Sequence, residues 1–241
     1  MAQTPEDNGP RYAIYFVPPP SSQLYRCGSS ILGYDAYTGN NVPFPDKFGG
    51  GAVNWNELTA TPRRYGFHAT LKAPFFLAPA CTEHQLVTAL RNFAGLGHPL
   101  HSFVPTLREL EDFIAVVPRE LEASLNELAA SCTTLFDAYR APMSPKERAR
   151  RLASRLSRSQ IQNLDRWGYP FVFSEFRFHM TLTGAVAPHR KRAILDVLHD
   201  GFRVMKVEPL IAVDRLILMR QETAEAPFRV LDEAVLKIAP S

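Results

Sequence analysis

Cysteine is scarce in this chain: Cys27, Cys81 and Cys132 are the only three in 241 residues. They are odd in number and far apart, which excludes a disulfide framework and a Cys-x-x-Cys metal site and leaves them as buried thiols. Long apolar runs are also missing; none approaches the roughly 18 to 20 residues of a membrane span. The opening, MAQTPEDNGP, is acidic and polar without the features of a signal peptide. The expectation is a cytoplasmic protein with no membrane partner. No Gly-x-Ser-x-Gly elbow, Gly-x-x-x-x-Gly-Lys loop or Gly-x-Gly-x-x-Gly fingerprint occurs. Serine-hydrolase, nucleotide-triphosphatase and dinucleotide-binding classes therefore lose their usual signatures.

What is present is enough for a globular core, since 46% of residues are hydrophobic. RYAIYFV at 11–17 reads as a strand stopped by three prolines, and Ser21 or Ser22 caps a helix to about Leu32. A Gly/Pro/Asn-rich loop follows from Gly33, of a length that is more often functional than idle. A strand at 66–73, a turn at Pro74 and a short apolar strand come next, then a helix from Thr82 to about Phe93. A hairpin at 102–110 and 113–117 precedes a helical pattern at 120–139. The basic stretch 146–167 has a second helical pattern. A strand near 175–183, a helix near 189–198 and strands near 215–220 and 228–238 complete the chain. This mixed order favours α+β over a doubly wound parallel sheet.

The formal charge of +3 is unevenly spread. Residues 139–170 hold eight basic side chains against Glu147 and Asp165, a net of +6, so the rest of the chain carries −3. Arg148, Arg151, Arg155 and Arg158 recur there at helical spacing, as a stripe that is either a solvated helix face or a phosphate-contacting surface.

Two strands share one pattern. In GFHATLKA, His68, Thr70 and Lys72 alternate with Phe67, Ala69, Leu71 and Ala73, and in FRFHMTLTG, His179, Thr181 and Thr183 alternate with Phe178, Met180, Leu182 and Gly184. Alternation puts the polar set on one face and the apolar set on the other. The apolar face packs under helices and the polar face looks into solvent or a cleft. One such strand is ordinary, but two copies of His-x-Thr-Leu are more than this composition produces readily by chance. His84, His98, His101, His189 and His199 have no matching context and read as surface or packing residues.

The paired motifs, together with RYAIYFVPPP and YGFHATLKAPF, resemble the 2H phosphoesterase superfamily, which includes bacterial RNA 2′,3′-cyclic phosphodiesterase/ligase-like proteins. The chain is most similar to an uncharacterised bacterial branch often associated with phosphonate-utilisation genes. The resemblance covers most of the chain from Arg11 onward. It implies a single bilobal, pseudo-two-fold α+β domain in which two largely antiparallel sheets flank a central cleft, helices lie outside, and the motif strands run side by side at the cleft floor. It further implies that His68 and His179 are catalytic and that Thr70 and Thr181 hold phosphate oxygens. The segment 139–170 is outside the minimal superfamily pattern and reads as a basic helical insertion.

Two imidazoles suit cyclic phosphodiester opening, because histidine serves as base or acid near neutral pH without a metal. Threonine hydroxyls can donate to the charged phosphoryl oxygens. Lys72 and Thr183 occupy equivalent places further along each strand and could touch substrate, as could Tyr65 and Arg63 just before the first motif. Neither motif has a carboxylate or a second histidine, so no metal and no cofactor is expected. The substrate class is a small phosphorylated or nucleotide molecule, with RNA as a further partner. The alternative is a non-catalytic nucleotide- or RNA-binding protein using the same cleft.

Overall fold

The structure, a computed structural model, describes residues 9–45 and 54–239. The polar tail at 1–8 and the glycine-rich end of the long loop lie outside the described residues. Strand β1 (Arg11–Phe16) is buried at every position after Arg11. Ser22 caps α1 (Gln23–Leu32) by accepting from the Leu24 N–H, and Gly33 ends it with a φ of 74°. Within the expected loop, β2 (Tyr34–Asp35) and β3 (Asn40–Asn41) form a small hairpin. Two single turns, α2 (Trp55–Leu58) and α3 (Ala60–Arg63), lead to β4 (Ala69–Phe76).

The turn expected at Pro74 is absent, and β4 runs through it. Tyr12 faces Phe75 and Ile14 faces Lys72 across β1 and β4, so Ala73 and Pro74 together oppose Ala13. That bulge is where a strand tolerates a residue with no N–H to give. Helix α4 (Glu83–Ala94) opens with the Thr82 and Gln85 capping box. Strand β5 (His101–Phe103) is followed by the expected hairpin of β6 (Pro105–Leu110) and β7 (Phe113–Pro118). Helix α5 (Ala123–Phe136) buries Leu125, Leu128, Cys132 and Phe136.

The basic stretch is two helices rather than one. Helix α6 (Pro145–Leu152) stops, and α7 (Arg158–Trp167) restarts at Ser157, whose side chain accepts from the Gln160 N–H while the Gln160 side chain answers at the Ser157 N–H. A capping box is a start signal, so periodicity on both sides of it does not merge into one helix. The arginine stripe is broken accordingly: Arg148 pairs with Asp165 at 2.7 Å and Arg151 with Glu147 at 2.7 Å. The strand expected near 175–183 shrinks to β8 (Met180–Thr181). Helix α8 (Pro188–Val204) and strands β9 (Ile211–Val213), β10 (Arg215–Gln221) and β11 (Arg229–Val235) follow. Strand β5 pairs with β9 in a separate ladder.

Seven strands form an antiparallel sheet in the order β11-β10-β1-β4-β8-β7-β6. Its two arms touch at one register pair, Ala69 with Met180, so the α+β fold has two lobes joined at a narrow seam. Helix α4 packs on β10 and β11, α8 on β6, and α5 along β4. Among the described residues, no helix is long and apolar enough to cross a membrane.

The apolar sides of both motif segments are sealed as the alternation demands: Phe67, Ala69, Phe178, Met180 and Leu182 are buried. Phe67 lies on α1 at Gly28, where an added Cβ would sit 2.3 Å from the ring. Only glycine lets the helix approach this closely. Gly28→Ala therefore loses stability in urea, because overpacking of about 1–3 kcal/mol outweighs the helix propensity gained. The loss is smaller in a Phe67→Leu background, where the ring is gone. A Gly28→Ala variant as stable as the parent contradicts this packing.

Candidate active site at the strand seam

The antiparallel pairing of Ala69 with Met180 fixes what surrounds it. Extending that register by one residue each way sets His68 opposite Thr181 and Thr70 opposite His179. His68 and His179 are the residues immediately before β4 and β8, so on this register each histidine falls beside the threonine of the other motif and the two imidazoles fall on a diagonal, a spacing of roughly 7–8 Å or less. All four side chains are half-buried. They share the face opposite buried Ala69 and Met180.

The two histidines are held in the same way. Nδ1 of His68 lies 3.0 Å from the Gly66 carbonyl and Nδ1 of His179 lies 2.8 Å from the Arg177 carbonyl, in each case two residues back along the chain. A carbonyl only accepts, so both rings carry their proton on Nδ1 and turn the Nε2 lone pair outward. Gly66 adopts a φ of 73°, and a Cβ there would meet the Ala36 methyl at 2.8 Å. Nε2 of His68 accepts from the Thr70 hydroxyl at 3.2 Å. The Tyr15 ring stacks on His68 at 3.8 Å, Tyr65 lies 6.2 Å away, and Phe113 lies 5.7 Å from His179.

Burial sets the charge state. It pushes the His68 imidazole down to about 4, against the pull of the Gly66 carbonyl and with help from the nearby His179. His179 is lowered chiefly by burial, with the Arg177 charge adding to it and the Arg177 carbonyl opposing it. Both rings are therefore neutral near pH 7. Burial also raises Tyr15 well above the usual phenol range. Beside the seam, Thr70 and His179 open into a cavity of about 230 Å³ walled by Phe113, Tyr169, Phe173 and Arg177. Its lining is mixed, with Glu111, Gln160 and Glu175 among the aromatic and aliphatic side chains.

Three side chains expected to face substrate are committed elsewhere. The Lys72 ammonium is buried, pairs with Asp137 at 2.8 Å and donates to the Thr133 carbonyl at 3.2 Å. The β1 to β4 bulges and the close passage of α5 turn it into the protein. Thr183 is buried as well, its hydroxyl accepting from the Ile114 N–H at 2.9 Å, because the chain beyond β8 hugs the end of β7. Arg63 donates to the Leu32 carbonyl at 2.6 Å and the Thr59 hydroxyl at 2.6 Å while lying over the Phe44 ring, so it ties the turns before β4 to α1. Tyr65 does stand at the cleft, stacked on Phe228 at 5.4 Å.

The motif pattern alone does not single out Tyr15, Arg177 and Tyr169. Tyr15 faces Thr70 across β1 and β4, a neighbourhood set by topology alone. Arg177 has a legible signal, since it lies two residues before His179 on the polar side of the alternation. Among the described residues, no three His, Cys, Asp or Glu side chains cluster as metal ligands would.

The chain is 35% identical over 221 residues to "Ribose 1,5-bisphosphate phosphokinase PhnN" of Janthinobacterium sp. (strain Marseille), a match covering 90% of this chain and 49% of that protein. It is 37% identical over 175 residues to the protein of the same name from Laribacter hongkongensis (strain HLHK9), covering 72% of this chain and 40% of that protein. The chain spans about half the length of the curated relatives it matches, or less. Among solved structures it is similar to a phosphoesterase (TM-score 0.42, 16% identity, 94% of this chain and 98% of that one). It is also similar to E. coli LigT complexed with 3′-AMP (TM-score 0.44, 14% identity, 95% and 99%). Residues 70–229 match the model of one protein family. The chain belongs to that family, described as "Protein of unknown function (DUF1045)".

Proposed function

We propose that this chain is a metal-independent phosphoesterase of the two-histidine type that opens a cyclic phosphodiester, and that its substrate is a cyclic phosphate of a phosphorylated ribose. The observation that carries the chemistry is the matched pair of Nδ1 latches on either side of one seam, which turns two Nε2 atoms toward the same face. With a cyclic diester between them, one neutral imidazole takes a proton from water as its oxygen bonds to phosphorus. The other, as imidazolium, gives its proton to the ribose oxygen as the phosphorus–oxygen bond breaks. The product is a phosphate monoester and a free hydroxyl, and proton exchange with solvent restores the starting pair. Thr70 and Thr181 donate to the non-bridging oxygens as charge grows there.

The substrate reading draws on the relatives. Both are named for phosphorylation of ribose 1,5-bisphosphate, and the match covers 49% of one and 40% of the other. This chain has no phosphate-binding Gly-x-x-x-x-Gly-Lys loop, so we assign the kinase name to the part of those proteins outside the match. Water opening a 1,2-cyclic phosphate of ribose 5-phosphate at the O2 bond yields ribose 1,5-bisphosphate. The two halves of such a protein would then act in succession on one sugar.

Replacing either His68 or His179 with Ala should lower kcat/KM for a cyclic ribose phosphate by about 10²–10⁴-fold while phosphate-ligand binding survives, and chelator should leave the parent enzyme unchanged. Turnover that persists in either variant, or that stops in chelator, rejects the mechanism. The pH dependence has a definite sign. Activity needs one neutral and one protonated ring, and both rings lose their proton more readily than ordinary histidine. The kcat/KM profile, which reports free enzyme, should be centred below about 6.5 and fall as pH rises. Bound anion favours imidazolium, so the kcat profile should be displaced to higher pH. Coincident profiles centred above that value count against the assignment.

A further inference from the structure

A second concavity lies next to the seam and belongs to no part of the mechanism above. It encloses about 590 Å³ and is lined by six cations, Arg11, Arg64, Arg140, Lys146, Arg150 and Arg151, against the two carboxylates Glu147 and Glu225. The local balance is +4 in a chain whose total is +3. Not all of that charge is spent internally. Arg140 pairs with Asp137 at 2.7 Å, and Arg150 and Arg151 share Glu147. By contrast, Arg11 donates to the neutral Gln221 amide oxygen, at 2.7 Å from its Nε, and Arg64 donates to the Ala224 carbonyl. Lys146 is exposed at the start of α6. These three come from β1, from the turn before β4 and from the basic segment. A solvated helix face is made by one helix, whereas this convergence is made by the tertiary fold.

The concavity approaches the histidines at two places along its wall. Tyr65 lines it, and the same ring is 6.2 Å from His68. Gly168 lines it too, while its neighbour Tyr169 walls the cavity beside His179, with the Arg151 guanidinium 5.8 Å above the Tyr169 ring. The turn at Gly168 and Tyr169 thus borders both the basic hollow and the cavity beside His179. Concave sites walled by protein concentrate the field of their charges and favour a compact anion, and guanidinium groups suit phosphate oxygens.

We infer that this hollow is a subsite for a phosphate monoester, the distal phosphate of the same substrate whose cyclic phosphate meets the histidines. The inference rests on the proposed function for the identity of that substrate. It gives the basic segment a part in specificity, selecting a sugar that carries two phosphates over one that carries only the cyclic phosphate.

The test uses the full chain, Arg64→Gln and Lys146→Gln, and two substrates, ribose 1,2-cyclic phosphate with and without a 5-phosphate. The expected result is a preference of the parent for the phosphorylated substrate, and a loss of about tenfold or more in its kcat/KM in each variant, since a hydrogen bond to a charged group is worth about 1.5–3 kcal/mol. Turnover of the dephosphorylated substrate should change much less. Equal losses on both substrates, or no preference in the parent, overturn the subsite and leave the phosphoesterase reading intact. Titration with ribose 5-phosphate, followed by calorimetry, separates the two ideas in the other direction. Binding that His68→Ala keeps and Lys146→Gln loses supports the subsite even where nothing is turned over, and equal binding by the parent and Lys146→Gln overturns it. A third substrate, a short oligoribonucleotide ending in a 2′,3′-cyclic phosphate, tests the rival occupant. If it is turned over faster than the phosphorylated sugar and depends on Arg64 and Lys146, the hollow reads RNA and the small-molecule assignment fails.

Discussion

The two arms of the sheet meet over a single pair of residues, and the placement of both motif histidines hangs on that junction. Ala69 and Met180 are both fully buried, and their pairing leaves no freedom in what flanks them: a one-residue slip would send the imidazoles into the core and the methionine into the cleft. The pairing is short because β8 is short. The apolar neighbours supply what two hydrogen-bonded residues cannot. Phe67 against Gly28 and Phe178 against Phe16 and Phe103 lock each side from below. The polar face can be nearly free of structural duties because the apolar face carries them.

That division of labour also explains the protonation of the site. Packing Tyr15 over His68 removes water from an imidazole whose Nδ1 already has a partner, and the ring responds by giving up its charge. A permanently charged pair at the starts of two adjacent strands would repel, whereas a neutral pair waits for an anion to supply the missing charge. The same stacking that orders the ring thus tunes it. Arg11 reaches this centre through its field, which is felt at Tyr15, and through the Phe228 ring it lies over.

How much of this is legible in the sequence follows from period and distance along the chain. The two alternating segments display which residues share a face, and His68, Thr70, His179 and Thr181 lie on the face that the alternation requires. The alternation fails at the next step. Lys72 and Thr183 sit on the polar side by parity, yet bulges in β4 and the brevity of β8 turn them into the protein. Bulges leave little trace in a hydrophobic pattern; Pro74 is such a trace, but in sequence it reads equally as a turn. Tyr15 is invisible for a different reason. Its place beside Thr70 depends on which strand pairs with which, and that is decided by contacts between residues more than fifty positions apart.

The lysine that parity misplaces has a role that connects the seam to the basic segment. From β4, Lys72 holds Asp137 at the end of α5. Asp137 in turn holds Arg140, whose guanidinium donates to the Arg166 carbonyl at 3.1 Å and packs so closely on Gly168 that a Cβ there would lie 3.0 Å from its Cδ. Gly168, at a φ of 75°, ends α7 and delivers Tyr169 to the wall of the cavity. A buried ion pair is a weak source of net stability, because desolvation offsets most of its attraction. Its value here is directional. Desolvation tends to raise the Asp137 carboxyl, but the two cations hold it below the usual range, so the carboxylate stays charged and paired at neutral pH. The relay then ties the turn carrying Tyr169 to β4, the strand that follows His68. The third polar residue of the first motif acts one step removed from the cleft, by setting the position of its wall.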